Sequence, residues 1–440
     1  MSKVYAQIHK LFPLLLFAAF VNCSGPEPTK EENSAVRIRQ ENGKYTIYRD
    51  GKPFTIKGAA GFSHFSELKQ AGGNTLRTWD TTHLDEILDS ARAHDLAVIV
   101  GLPIPNNNDI GQYQDPAIIR IRYRALQSLV RKHKGDRAIL MWCLGNELDF
   151  PYKLIYRHFY EDFNDLTDMI HREDPDHPVT TTVLNFNSKY IANIQLLCDI
   201  DVISFNIFSN LKNLRNDLAG FSWFWNGPYL LLEWGIDGPW HGAEETAWGA
   251  FIENTSKKKA DVYLKRYQQE LPVEDPRLIG ACAFFWGHKQ ETTHTWFSIF
   301  DETGESSETV ATMQYIWSGK PSKVKYPEVQ YMLLNQKGAR DNIMLNPGAT
   351  ASAEVLMSAG HKDVKSVKWQ LFKEDWYQEN QMNNIKKLRP LNHLIPAGSG
   401  LHTQFVSPSE EGPYRLFATI YDHCGHFASC NTPFYVVSDK

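Results

Sequence analysis

The sequence predicts an α/β fold, a (β/α)8 TIM barrel, followed by a small all-β sandwich of immunoglobulin-like type. Three observations predict it. Between residues 54 and 317, eight short apolar runs alternate with amphipathic stretches, the rhythm of parallel strands each followed by a helix. After Trp317 the helical period gives way to short alternating runs divided by Gly and Pro, as in a two-sheet sandwich. No Gly-rich phosphate loop follows the first run, which argues against a doubly wound open sheet.

In chain order, Lys3 and Lys10 precede the apolar stretch 11–21, which is too short for a permanent membrane span, and Cys23 follows at once. The pattern resembles a bacterial lipoprotein signal. It implies a signal peptide over 1–22, a lipidated Cys23, and a polar tether over 23–40, with a plain secretory signal as the alternative. The expected place is the bacterial cell envelope, reached through the N-terminal lipid alone.

The barrel is assigned to 41–320. Its strands are FTIKGAAG (54–61), NTLRTW (74–79), LAVIVGLPI (96–104), ILMWCLGNE (139–147), PVTTTVLN (178–185), DVISFNIF (201–208), YLLLEWG (229–235) and LIGACAFFWG (278–287). Near-continuous hydrophobicity marks strands buried on both faces. Between them LDEILDSARAHD (84–95), PAIIRIRYRALQSLVRKHK (116–134) and KLIYRHFYEDFNDLTDMIHRE (153–173) carry apolar residues at helical spacing with charge opposite. A linker, SGKPSKVKYPEVQ (318–330), leads to the sandwich domain over 327–440. Its strands are read from ATASAEVLMS (349–358), VKSVKWQLFK (364–373), HTQFVS (402–407), YRLFATIYD (414–422) and TPFYVV (432–437). This domain is expected to be a structural module on the barrel, with glycan contact through Trp369 or Trp376 as the other reading.

Composition narrows the function. A formal charge of −5 over 440 residues gives no broad basic field, so nucleic acid is not an expected partner. Aromatic residues make up 12% of the chain and include 12 Trp. Flat apolar faces with a polar edge suit the C–H faces of sugars, although most Trp are expected to fill the core. Cys143, Cys198 and Cys282 sit in or beside apolar runs and read as buried fillers. Cys424 and Cys430 are equally compatible with a disulfide and with two free thiols. Neither the cysteines nor His64, His83, His288 and His294 have metal-ligand spacing, so no metal and no cofactor is expected, and the chain is expected to be a monomer.

The chemistry is carried by Glu147 and Glu233, which stand at the C-terminal ends of the fourth and seventh apolar runs. In a (β/α)8 barrel that rim is where active sites are built. Two carboxylates facing each other there match what cleavage of a glycosidic bond needs, one to protonate the leaving oxygen and one to meet the oxocarbenium-like carbon.

These residues resemble the retaining glycoside hydrolases of clan A. There the acid/base follows an Asn at the end of the fourth strand, as Asn146-Glu147 does here, and the nucleophile ends the seventh, as Glu233 does. The resemblance implies further roles. Arg77, ending the second strand, would hold the nucleophile ionised; Trp286, ending the eighth, would floor the subsite of the cleaved sugar. On the sixth strand, where clan members often carry Tyr or His, Asn206 would contact the nucleophile, and Asn146 would bind the sugar 2-hydroxyl. Trp79 and His288 are taken as further substrate-binding residues, and Asp80, Trp225, Trp240 and Trp296 fall in expected rim loops.

The GNE wording is similar to the catalytic domain of glycoside hydrolase family 2, but the jelly-roll domains that precede that family's barrel are missing. A barrel with one C-terminal immunoglobulin-like domain is similar instead to bacterial endo-β-1,3-glucanases. FTIKGAAG and NTLRTW also resemble fungal β-1,3-glucanosyltransferases. The resemblance implies double displacement on a polysaccharide or oligosaccharide, with Glu147 raised in pKa as acid/base and Glu233 charged as nucleophile. An endo-β-1,3-glucanase is the leading expectation. An exo-acting β-glycosidase, a β-1,3-glucanosyltransferase and a non-catalytic surface glycan-binding lipoprotein are the alternatives.

Overall fold

The computed structural model describes residues 35–358, 363–374, 388–396 and 400–438. The signal segment, Cys23 and Trp376 lie outside them. Among the described residues no helix is long and apolar enough to cross a membrane.

The first element is an antiparallel meander of β1 (Val36–Glu41), β2 (Lys44–Arg49) and β3 (Lys52–Phe54). Part of the expected tether is therefore strand. Asn42 and Gly43 both have positive φ, 51° and 80°, as a two-residue hairpin turn demands. Val36 and Ile47 bury one face of the hairpin into the barrel core, and Tyr45 N–H donates to Pro276 O.

All eight expected barrel strands form: β4 (Ile56–Gly61), β5 (Thr75–Arg77), β6 (Ala97–Leu102), β7 (Ile139–Leu144), β8 (Val179–Leu184), β9 (Val202–Asn206), β10 (Tyr229–Trp234) and β11 (Leu278–Trp286). They pair in parallel and in sequence order, and β11 closes on β4. The helix Pro116–His133 shows how the outer layer is specified. Asp115 caps it by accepting from Ala117 N–H at 2.7 Å, Pro116 takes the first position, and Arg131, Lys132 and His133 occupy the last turn, where cations suit the helix dipole.

Among the described residues the second domain is a sandwich of seven strands. One sheet has β12 (Val329–Leu334), β14 (Thr350–Met357) and β16 (His402–Val406). The other has β13 (Met344–Leu345), β15 (Ser366–Lys373), β17 (Gly412–Tyr421) and β18 (Phe427–Val436). Strand β12 begins inside the expected linker, where Val329, Met332 and Leu334 turn inward. Trp369 is 7% exposed and donates to Gly400 O at 2.9 Å, so it is a core residue. Cys424 and Cys430 are both free thiols.

The sandwich packs on the loops that follow β10 and β11. Buried Glu253 is the hub of that contact. Its carboxylate accepts from Lys259 Nζ, Thr293 Oγ1, Thr295 Oγ1 and Asn431 Nδ2 at 2.5, 2.7, 2.8 and 2.7 Å. Arg415 donates to Asn431 Oδ1 at 2.7 Å and to Phe251 O at 2.6 Å. Burial alone would raise this carboxyl, but Lys259 and Arg415 more than offset that and hold it below its ordinary range.

Candidate active site

Four strand ends bring their polar side chains together at the C-terminal rim. Arg77 ends β5, Asn146 and Glu147 follow β7, Asn206 ends β9, and Glu233 lies near the end of β10. Arg77, Asn206 and Glu233 are buried, at 0%, 0% and 5% exposure. Buried polar groups this deep need partners, and here they supply one another.

Glu233 Oε1 accepts from Arg77 Nη1 at 2.7 Å, Trp79 Nε1 at 2.7 Å and Asn206 Nδ2 at 2.8 Å. The same Asn206 amide reaches Glu147 Oε1 at 2.9 Å. The two carboxylate oxygens therefore stand no more than about 5.7 Å apart, the two bonds laid end to end. For the facing oxygens that fits the close spacing of a nucleophile and acid/base pair, whose carboxyl groups stand about 5–5.5 Å apart. Asn146 Oδ1 accepts from Arg77 Nη2, from Asn206 Nδ2 at 3.2 Å and from Thr182 Oγ1 at 3.3 Å. The Asn146 side chain as a whole is half-buried.

The backbone that presents Glu147 is unusual. Gly145 has φ +77°, and a Cβ there would lie 2.4 Å from Leu148 Cδ1, so only glycine fits. Glu147 itself has φ 52°, a conformation non-glycine residues rarely adopt. Its N–H is held by Thr182 Oγ1 at 2.9 Å. Thr182 lies in the expected fifth strand, whose run of three threonines, all fully buried, is the sequence signal for a polar interior that the reading passed over.

One electrostatic expectation is corrected. Burial pushes the Glu233 carboxyl up to about 8; Arg77 pulls against it, and the nearby Glu147 charge pushes it further up. Arg77 thus does not by itself keep Glu233 in the ordinary carboxylate range. The cause is desolvation in a closed strand ring, which penalises the charged form more than one cation repays.

Trp286 is also corrected. It is 0% exposed, donates to His64 O at 3.1 Å, and packs on Phe300 and Trp317 at 5.1 and 5.5 Å, so it points away from the cleft. The register of β11 on β4 shifts between Phe284 and Trp286. Phe284 and Phe285 instead meet Trp79, at 5.9 and 5.6 Å. Trp79 lies on the Arg77 guanidinium, 4.5 Å from ring centre to Cζ. His288 is exposed on the loop after β11, and its charge acts on His294, which packs against Phe417 of the sandwich. Trp225 and Trp296 are buried, and Trp296 donates to Asp237 O at 2.9 Å; neither lines the cleft. Asp80 accepts from Thr82 N–H at 2.8 Å in its own turn.

Lys289 and Glu291 were not singled out from the sequence. Lys289 Nζ is 3.3 Å from Glu291 Oε2 and lies over the rings of Phe284 and Phe285. The charges of both act on Glu233. Isolated lysine and glutamate in a loop carry no sequence signal for such a position.

Comparison with solved structures finds the same fold. The chain is similar to the β-glucuronidase of Bifidobacterium dentium, solved with coumarin-3-O-glucuronide, at 17% identity and a TM-score of 0.52, over 65% of this chain and 50% of that one. The β-glucuronidase of Faecalibacterium prausnitzii matches at 15% identity and a TM-score of 0.51, over 65% and 52%. That of Dictyoglomus thermophilum matches at 20% and 0.50, over 65% and 54%. This chain thus spans about half the length of the structures it matches. No family model and no curated protein matches it. At such identities the likeness is one of fold, and the chemistry must be argued from the residues.

Proposed function

We propose that the protein is a retaining β-glycoside hydrolase. The observation that carries this reading is the Glu147 and Glu233 pair, no more than about 5.7 Å apart and joined by Asn206. Glu233 attacks the anomeric carbon; the glycosidic C–O bond breaks as Glu147 gives its proton to the leaving oxygen. Water then enters, Glu147 takes its proton, and the Glu233 ester is cleaved with net retention. Arg77, Trp79 and Asn206 receive the charge that returns to Glu233 when the ester breaks. In this reading the Asn146 amide donates to the sugar 2-hydroxyl.

The finer reading is an endo-acting enzyme on a β-linked glucan, with β-1,3 linkage first. Its supports are the wording of FTIKGAAG and NTLRTW and the exposed apolar side chains Tyr152 and Leu154 on the loop after Glu147. In the same reading Cys23 anchors the enzyme to the bacterial envelope by lipid, supported by Lys3, Lys10 and the apolar stretch before it.

The test is a panel of β-1,3-glucan, β-1,4-glucan, mannan and aryl β-glycosides, including the β-glucuronide named for the structural neighbours. Proton NMR should show the β-anomer released first, and Glu147→Gln and Glu233→Gln should each abolish release from the polysaccharide. First release of the α-anomer, or activity that survives both substitutions, overturns the proposal.

A further inference from the structure

The loop that follows the Glu233 strand carries a tryptophan whose setting is not that of a stray surface residue. Trp240 is 54% exposed in the short turn Pro239–His241. Its indole lies directly on Gly238, where an added Cβ would come within 2.4 Å of Cε2 and Cζ2. On another side it meets Phe297, ring centres 5.9 Å apart. The ring is therefore held in one orientation by its own loop while half of its surface stays open to solvent.

This ring also ends a chain of packed rings that begins at the carboxylates, its two middle members, Phe284 and Phe297, being buried beneath the surface. Trp79, bonded to Glu233, touches Phe284 at 5.9 Å; Phe284 touches Phe297 at 5.2 Å; Phe297 touches Trp240. A second branch runs from Phe208, two residues beyond Asn206, to Phe284 at 5.6 Å and to His241 at 6.0 Å. Three ring-to-ring steps separate Trp240 from the Trp79 indole, a span that a short run of sugar units covers. An exposed, pre-oriented indole costs apolar hydration in the empty protein and recovers it when a C–H face covers it.

From the exposed, held indole and its short distance from the carboxylates we propose that Trp240 is the stacking platform for a sugar unit beyond the one being cleaved, which makes the substrate a β-linked chain and not a single glycoside. The inference rests on the glycoside hydrolase reading above and adds a chain-length requirement to it. Binding energy at Trp240 is available only to substrates long enough to reach it.

The test compares kcat/KM on a hexaose of whichever linkage the panel shows to be cleaved with kcat/KM on the 4-nitrophenyl glycoside of the same sugar. Trp240→Ala should lower the ratio of hexaose to aryl glycoside about 10-fold, and Trp240→Phe should restore most of it. Equal loss on both substrates, or an unchanged ratio, overturns the platform and leaves the hydrolase reading standing. A wild-type protein that cleaves neither substrate overturns both.

Discussion

Glu147 and Glu233 share one hydrogen-bond donor, the Asn206 amide, which reaches the Oε1 of each at 2.9 and 2.8 Å. Burial, with Arg77 working against it and the Glu147 charge adding to it, puts the Glu233 carboxyl at about 8. The working pair holds one proton, so kcat/KM should fall on the alkaline side with its midpoint near that pH. Glu147→Gln removes a like charge that raises Glu233. On an aryl glycoside whose leaving group needs no acid, this variant should keep only a rising limb, displaced below the wild-type midpoint. Rates against pH for both proteins decide the matter, and a wild-type profile flat through pH 8 contradicts it.

The same burial has a stability signature. Between about 4.5 and about 8 the folded protein holds a proton on Glu233 that the unfolded chain has lost. Unfolding free energy should therefore fall as pH rises through that window. Glu233→Gln has no proton to release there, and its stability should decline less steeply. Denaturant melts at the two ends of the window measure the slopes, and equal slopes would show that Glu233 is not held protonated by the fold.

Arg77 acts through geometry as well as charge. One guanidinium nitrogen bonds Glu233 at 2.7 Å and the other bonds Asn146. Lysine carries a single point charge and cannot span both acceptors. Arg77→Lys should lower kcat/KM on the order of 100-fold, mostly through kcat. Retention of more than about a third of wild-type efficiency would mean that positive charge alone suffices.

The barrel strands were legible because both of their faces are buried, so each reads as an unbroken apolar run ended by a polar residue with a task. Arg77, Asn206 and Glu233 fall at such ends, and the structure brings the three together. Trp286 was misplaced for the same reason: Phe284, Phe285 and Trp286 give no alternation to show which ring faces the cleft, and the register shift before Trp286 exists only in three dimensions. The N-terminal hairpin was missed despite a clear Asn42-Gly43 turn signal, because its first strand lies mostly in the stretch read as tether and its second in the start of the barrel, ahead of the first apolar run. The rise of the Glu233 pKa was out of reach, since it depends on how closely four distant strands close around one carboxylate.

The Glu253 hub ties the sandwich to the loops after β10 and β11. Lys259, 5% exposed, has Glu253 as its ion-pair partner. Glu253→Ala leaves that cation buried without its countercharge, a change that costs about 3–5 kcal/mol. Urea unfolding should show the loss, with Lys259→Met in the same background recovering part of it. A loss below about 1 kcal/mol would place this contact among ordinary surface pairs.

Gly145 offers the sharpest test of how Glu147, the proposed acid/base, is presented. Its φ of +77° and the 2.4 Å approach of Leu148 Cδ1 to an added Cβ make alanine both strained and crowded. The next residue but one is Glu147, whose φ of 52° depends on the turn that Gly145 begins and on the Thr182 hydroxyl that holds its N–H. Gly145→Ala should thus move the carboxyl away from Asn206 while leaving Arg77, Trp79 and Glu233 in place. The consequence is selective. On substrates that need leaving-group protonation kcat should fall at least about 10-fold, and on an activated aryl glycoside the fall should be much smaller. Equal losses on both would mean that the substitution disturbs the whole rim and not the acid/base alone.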